Sequence, residues 1–207
     1  MMKPAHVPQQ ARAVATREKL LKATARSLCE RGYSGASTTA IAREAGVSQG
    51  ALFKHFGSRS ALMACTIEYL FTGLVEEFRE AFAAGRNQED HLSVALRELW
   101  AVFLKPELFA ILELYIAART DESLRFALLP AMAQHRINLI AEARILFPEA
   151  AEKNPRFALA VDGLMLAMQG AATSAAVLKQ DTLPPEFTTM VKEICRRELE
   201  PPYGVFP

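Results

Sequence analysis

Apolar positions recur every three or four residues along most of the chain, and no stretch sustains the strict alternation of a half-buried strand. In "ATREKLLKATARSLCERG", Val14, Leu21, Ala25 and Leu28 fall at spacings of seven, four and three, which predicts a first helix over Ala15–Gly32 with Gly32 as its stop. Ser37 is placed to cap a short second helix, Thr38 to Ala45. Gly46 ends it where a positive φ is needed, and Val47 is placed to plug back between the helices. Ser48 then caps a third helix over Gln49–Phe56. Gly57 breaks that helix, Ser58 caps again, and a long fourth helix runs from Arg59 to about Gly85. Leu52 and Phe56, four apart, share the inward face of the third helix. Gln49, Ala51, Lys54 and His55 are left for other faces.

Beyond Gly85 the same periodicity predicts five more helices, about nine in all. Asn87 caps a fifth that runs to Lys105, and Pro106 suits the first turn of a sixth. Asp121 begins a seventh, which Pro130 is expected to kink or split. Pro148 and Asn154-Pro155 bracket a loop. An eighth runs from Pro155 to Lys179 and a ninth from Pro184 to Leu199. Phe157–Leu178 carries Asp162 as its only charge and is long enough to span a bilayer. Gly163, Ala167 and Ala171 form a ladder of small residues on it. Gln169, Thr173 and Ser174 dilute the segment, and no aromatic belt flanks it. The next helix lines up Phe187, Met190, Val191, Ile194 and Cys195, with Lys192, Glu193, Arg196 and Arg197 opposite. An apolar helix beside an amphipathic one predicts a soluble interface and no membrane partner.

Net charge is only +1, but it is unevenly spread. The first sixty residues hold ten Lys/Arg against three acids, and the rest hold fourteen against twenty. A basic N-terminal third on an acidic body points to a polyanionic partner for that third alone. Three scattered cysteines, Cys29, Cys65 and Cys195, fit a reducing cytoplasm without a disulfide framework. Residues 1–13 lack the apolar run of a signal peptide and read as a flexible arm. The expected organisation is therefore all-α. The arm (1–13) precedes a three-helix helix-turn-helix domain (14–60), and a long helix leads into a helical body (61–207).

Eight helical residues span roughly 12 Å, which matches the width of the DNA major groove. Gly50 and Ala51 are small enough to let the backbone approach a duplex. The run "STTAIAREAGVSQGALFKHFGSRSAL", preceded by "ARSLCERGYSG", resembles the DNA-binding domain of the TetR family of transcriptional regulators, over about Thr16 to Leu70. The features that carry the likeness are "ERGY", "IAREAGVS", the pair His55-Phe56, and a basic residue just after Gly57-Ser58. The resemblance implies contacts from Thr38 and Thr39 to phosphate and sometimes to a base. It places Ser48, Gln49, Gly50 and Ala51 at the leading end of the recognition helix. Gln49 is the candidate base reader, because its carboxamide can pair with adenine. Lys54 and His55 are expected on the DNA backbone, and Arg59 stands where the family often has a phosphate-binding lysine. Phe53 replaces the usual Tyr and so lacks a phosphate-binding hydroxyl.

The resemblance further implies a homodimer formed through the last two helices, a near-palindromic double-stranded DNA site, and a small apolar effector bound in the body. Candidates to line that pocket are Trp100, Phe103, Leu112, Tyr115, His135, Met165, Met168 and Gln169, although aromatic and methionine side chains at helical spacing equally build core. No catalytic motif is present. His6, His55, His91 and His135 form no metal-ligand spacing, so neither enzyme activity, metal nor cofactor is expected. Two other readings stand beside the ligand-released repressor. One is a constitutive DNA-binding or protein-interaction protein with a solid core, and the other is a membrane-associated helical protein.

Overall fold

A computed structural model describes residues 9–85, 90–182 and 184–199. Among the described residues there are ten helices and no strand. They are α1 (Gln9–Gly35), α2 (Thr38–Glu44), α3 (Gln49–Phe56), α4 (Arg59–Gly85), α5 (His91–Phe103), α6 (Pro106–Ala118), α7 (Glu122–Leu146), α8 (Pro148–Lys153), α9 (Phe157–Leu178) and α10 (Pro185–Leu199). Their contacts group the chain into two compact units. The first comprises the chain up to Phe71 together with Phe109–Ala131, and the second comprises Thr72–Leu108 and the chain from Met132 onward. Helices α4, α6 and α7 each contribute one part to each unit.

In the first unit, Leu20, Leu28, Ile41, Leu52, Leu62, Met63 and Ile67 are fully buried. So are Ile111 and Leu114 of α6 and Leu124 and Leu128 of α7. Each such side chain stabilises the fold by roughly 1.5–3 kcal/mol relative to exposure. Val14 stands two turns before Leu21 on the same face but is exposed, because the buried stretch of α1 begins only at Leu20. Helix α1 starts at Gln9, so the end of the expected arm is helical, while residues 1–8 lie outside the described residues. Gly32, at φ 66° and ψ 178°, breaks α1 where the stop was expected. Glu44 pins α2 to α1 by pairing with Arg31 at 2.9 Å and Arg26 at 3.2 Å.

In the second unit, Phe82, Val94 and Ala95 form a cluster that Phe78, Leu146 and Phe147 join. Phe157, Val161, Met168, Ala172 and Ala175 give α9 one buried face, and Val191, Cys195 and Leu199 give α10 another. Asn154 is buried and donates to the Glu198 carbonyl at 2.7 Å, tying the segment before α9 to the end of α10. Three details differ from the sequence-based expectations. Asp90, rather than Asn87, caps α5, its carboxylate accepting from Ser93 N at 2.8 Å; Asn87 lies outside the described residues. The Ser93 hydroxyl, which donates to the same carboxylate at 2.7 Å, and the Ser93 N–H, together with Lys192, hold the Asp90 carboxyl well below its ordinary range. Helix α7 runs through Pro130 unsplit. Pro130 and Phe126 are both exposed, so the carbonyl left without an N–H partner lies on the solvent side. The expected loop after Pro148 is instead helix α8, with Pro148 in its first turn, where a missing N–H costs nothing.

Candidate nucleic-acid interface

Local chemistry fixes the two helices of the motif. The Ser37 hydroxyl accepts from Ala40 N at 3.2 Å and starts α2. The turn closes through Val47 N donating to the Ala42 carbonyl at 3.0 Å, with Gly46 at φ 69°. The Ser48 hydroxyl accepts from Ala51 N at 3.1 Å and starts α3. Gly57, at φ 72°, ends it, its N–H donating to the Phe53 carbonyl. Leu52 and Phe56 are buried and seat α3 on its own unit.

The same anchoring turns the candidate residues outward. Ser48, Gln49, Gly50, Phe53 and Lys54 are exposed, as is Thr39 on α2. Thr38, Ala51 and His55 are half-buried. Phe53, 39% exposed, leaves its ring on the surface rather than in the core. The first residues of α2 and α3 meet, because Gln49 Nε2 donates to Thr38 Oγ1 at 3.0 Å. A Cβ added at Gly50 would approach only Ser48 Oγ, at 3.9 Å, so the chain's own packing does not require glycine there.

Arg59 is turned the other way. Its guanidinium lies 4.0 Å from the Tyr33 ring centroid and donates to the carbonyls of Tyr33 (2.7 Å) and Ala36 (3.4 Å), closing the end of α1. Tyr33 is a junction that the pattern of apolar positions did not reveal. Its N–H donates to Glu113 of α6 at 2.8 Å, and its hydroxyl donates to Asp121 at 3.2 Å. Burial raises its phenol above the ordinary value, opposed by Arg59 and reinforced by Asp121. Arg17 was also missed. Its guanidinium sits 5.1 Å from the Phe56 ring centroid and donates to Cys65 Sγ at 3.1 Å. The "ERGY" motif already contained Tyr33, but its partners lie some eighty residues downstream.

The candidate pocket residues fall in both units. Leu112 and Tyr115 belong to the first, where Leu112 is buried and burial pushes the Tyr115 phenol up to about 12. Trp100, Phe103, His135, Met165, Met168 and Gln169 belong to the second. There Phe103 and Met168 are buried, while Met165 and Gln169 are half-buried. The Trp100 indole donates to the Asp181 carbonyl at 3.1 Å. Burial lowers the His135 pKa to about 4. Among the described residues no group of three or more His, Cys, Asp or Glu is placed to hold a metal ion.

Residues 20–64, which contain both helices of the motif, match the family of bacterial regulatory proteins described as the tetR family. An uncharacterized HTH-type transcriptional regulator of Mycobacterium bovis is 32% identical over 175 residues, covering 84% of this chain and 90% of its own length. The HTH-type transcriptional regulator CymR of Pseudomonas putida is 32% identical over 124 residues, 60% of this chain and 61% of that protein. Among solved structures, a TetR-family member from Streptomyces coelicolor superposes with a TM-score of 0.63 at 20% identity, covering 86% of this chain and 97% of that one. The multidrug binding protein EbrR, complexed with imidazole, gives 0.64 at 21% identity, covering 91% and 97%. These two likenesses show the fold. Together with the relative from Mycobacterium, whose similarity extends far beyond the motif, they lead to one conclusion: the chain belongs to the TetR family of bacterial transcriptional regulators.

Proposed function

We propose that this regulator is a cytoplasmic, sequence-specific repressor that binds a near-palindromic DNA site as a homodimer and leaves it when a small apolar molecule binds the helical body. The observation that carries the reading is the edge shared by α2 and α3. Thr38, Thr39, Ser48, Gln49, Gly50, Lys54 and His55 stand there on two capped helices, in the basic third of the chain. In this reading Gln49 meets a base edge, while Lys54, His55, Thr39 and the N-terminus of α3 meet phosphates. Arg59 contributes by holding the end of α1 against the start of α4.

The dimer is supported by α9. Leu159, Gly163, Leu166, Gly170, Thr173 and Val177 lie on one exposed stripe, opposite its buried face. A Cβ at Gly163 or Gly170 would meet nothing within 4 Å, so both glycines leave open space on that stripe for a close neighbour. Met190 and Ile194 add exposed apolar surface on α10. Helix α9 is long and apolar enough to cross a membrane. Its buried face against the second unit and its glycine-bearing open face favour a second copy instead.

Ligand release is supported by the fold shared with EbrR, described as a multidrug binding protein and solved with imidazole and with proflavin. The competing reading, DNA binding without an effector, draws on the burial of Phe103, Leu112 and Met168 as ordinary core.

In vitro selection from random duplexes, followed by band shifts with aromatic and apolar compounds including proflavin, tests these points together. The expected outcome is a two-fold repeated half-site whose complex a compound dissociates. A single unrepeated half-site contradicts the dimer. Indifference to every compound contradicts release and leaves the constitutive reading.

A further inference from the structure

We infer that Thr38 acts in recognition through Gln49: its hydroxyl holds the Gln49 carboxamide at the gap between the two helix starts, ready for a base edge, which makes Thr38 a positioning residue for specificity. The inference rests on the reading of Gln49 as a base contact and adds to it a source of orientation.

Gln49 is the first residue of α3 and is exposed, so by itself it would sample many rotamers and lose that freedom on docking. Thr38 removes much of it beforehand. Its Oγ1 accepts from Gln49 Nε2 at 3.0 Å across the gap between the two helix starts. The anchor is itself stiff. A β-branched side chain has few χ1 options in a helix, and Thr38 directly follows the Ser37 cap.

With one N–H of the carboxamide engaged by Thr38, Gln49 presents Oε1 and its second N–H. That acceptor-donor pair complements N6–H and N7 of adenine. In the flipped amide the Thr38 O–H would donate to Oε1 and two N–H groups would face outward, complementing the paired acceptors of guanine. The Thr38 hydroxyl can serve either arrangement, so it sets where the carboxamide stands and how firmly a purine is read rather than which purine is chosen. A direct phosphate contact by Thr38 would carry no such information.

The test uses the full-length protein and fluorescent duplexes that carry the selected half-site, each base pair exchanged in turn, beside a random duplex. Gln49→Ala is expected to lose about ten- to hundredfold discrimination at one base pair. Thr38→Val, which keeps the shape but not the hydroxyl, is expected to lose about three- to tenfold at that same base pair. Discrimination at that base pair should fall by more than affinity for random DNA does. Thr38→Ser, which restores the oxygen, should recover most of the loss, and Thr38→Val combined with Gln49→Ala should discriminate no worse than Gln49→Ala alone. Thermal melts establish that each variant is folded. If Thr38→Val weakens specific and random DNA alike while discrimination stands, or adds to the loss of Gln49→Ala, the positioning role is overturned. If Gln49→Ala leaves discrimination intact at every position, the underlying base-contact assignment fails first and takes the inference with it.

Discussion

The carboxylate of Glu113, on α6, accepts a 2.8 Å hydrogen bond from the backbone N–H of Tyr33 at the break in α1, and it fills the space a Cβ at Gly32 would occupy. A break in a helix leaves backbone groups in want of partners, and here a side chain eighty residues away supplies one. Arg59 and Asp121 complete the junction around Tyr33. It ties α6 and the start of α7 to the end of α1, which explains why Phe109–Ala131 groups with the DNA-binding motif.

Glu113→Ala should therefore destabilise the protein by about 1–2 kcal/mol, since hydrogen bonds to charged groups are the stronger ones and this carboxylate is partly open to solvent. Glu113→Gln keeps an acceptor and should lose less. Urea unfolding followed by circular dichroism reads the difference. Equal midpoints for wild type and Glu113→Ala would show that the contact contributes nothing.

Gly32 has a backbone conformation, φ 66° and ψ 178°, that side chains rarely adopt, and a Cβ there would lie 2.6 Å from Glu113 Oε2. Gly32→Ala should cost about 1–3 kcal/mol. In a Glu113→Ala background the clash is gone but the strain is not, so Gly32→Ala should cost less there than in wild type, yet still cost something. No cost in that background would show that backbone conformation plays no part.

At Gly50 stability and binding should move in opposite directions. Alanine is the better helix former and meets nothing closer than 3.9 Å, so Gly50→Ala should raise stability by about 0.5–1 kcal/mol. The added methyl projects from the exposed leading turn of α3 and should weaken binding to the selected duplex. A more stable variant with undiminished affinity would mean that the duplex does not approach this turn closely.

Burial lowers the His135 pKa from 6.5 to about 4, so the unfolded chain takes up a proton before the folded one does. The stabilisation from keeping this imidazole neutral is fully present above about pH 6.5. It is lost progressively as pH falls toward 4, by at most about 3 kcal/mol. His135→Gln should flatten that part of the stability-pH profile when urea midpoints are compared between pH 7 and pH 4.5. An unaltered profile would assign the acid sensitivity to other groups.

The helix-turn-helix was legible in the sequence because its boundaries are coded locally. Ser37, Gly46, Ser48 and Gly57 each act on backbone within three or four residues, and α3 spans the residues expected of it. The outward set on α3 followed from the spacing of Leu52 and Phe56 alone. Pro148 was legible as punctuation but ambiguous in sense, since the same ring that interrupts a helix also starts one. Asp90 and Asn87 compete on equal local grounds, and what distinguishes Asp90 includes a lysine about a hundred residues away, Lys192. Arg59 shows the wider limit. The resemblance gave it a phosphate, whereas its partners within the chain are the Tyr33 ring and two carbonyls at the far end of α1. The apolar face of α9 was visible in outline, but which residues of that face are buried against the chain's own body depends on packing.

The central claim is that the α2–α3 edge lies against the phosphates of a duplex, and the salt dependence of binding tests it most directly. Affinity for the selected duplex should fall linearly in log–log form as salt rises. Lys54→Ala should make that slope shallower by about one for each lysine–phosphate contact removed, weakening all sequences alike. An unchanged slope in Lys54→Ala, or binding by the wild-type protein that ignores salt, would contradict the account.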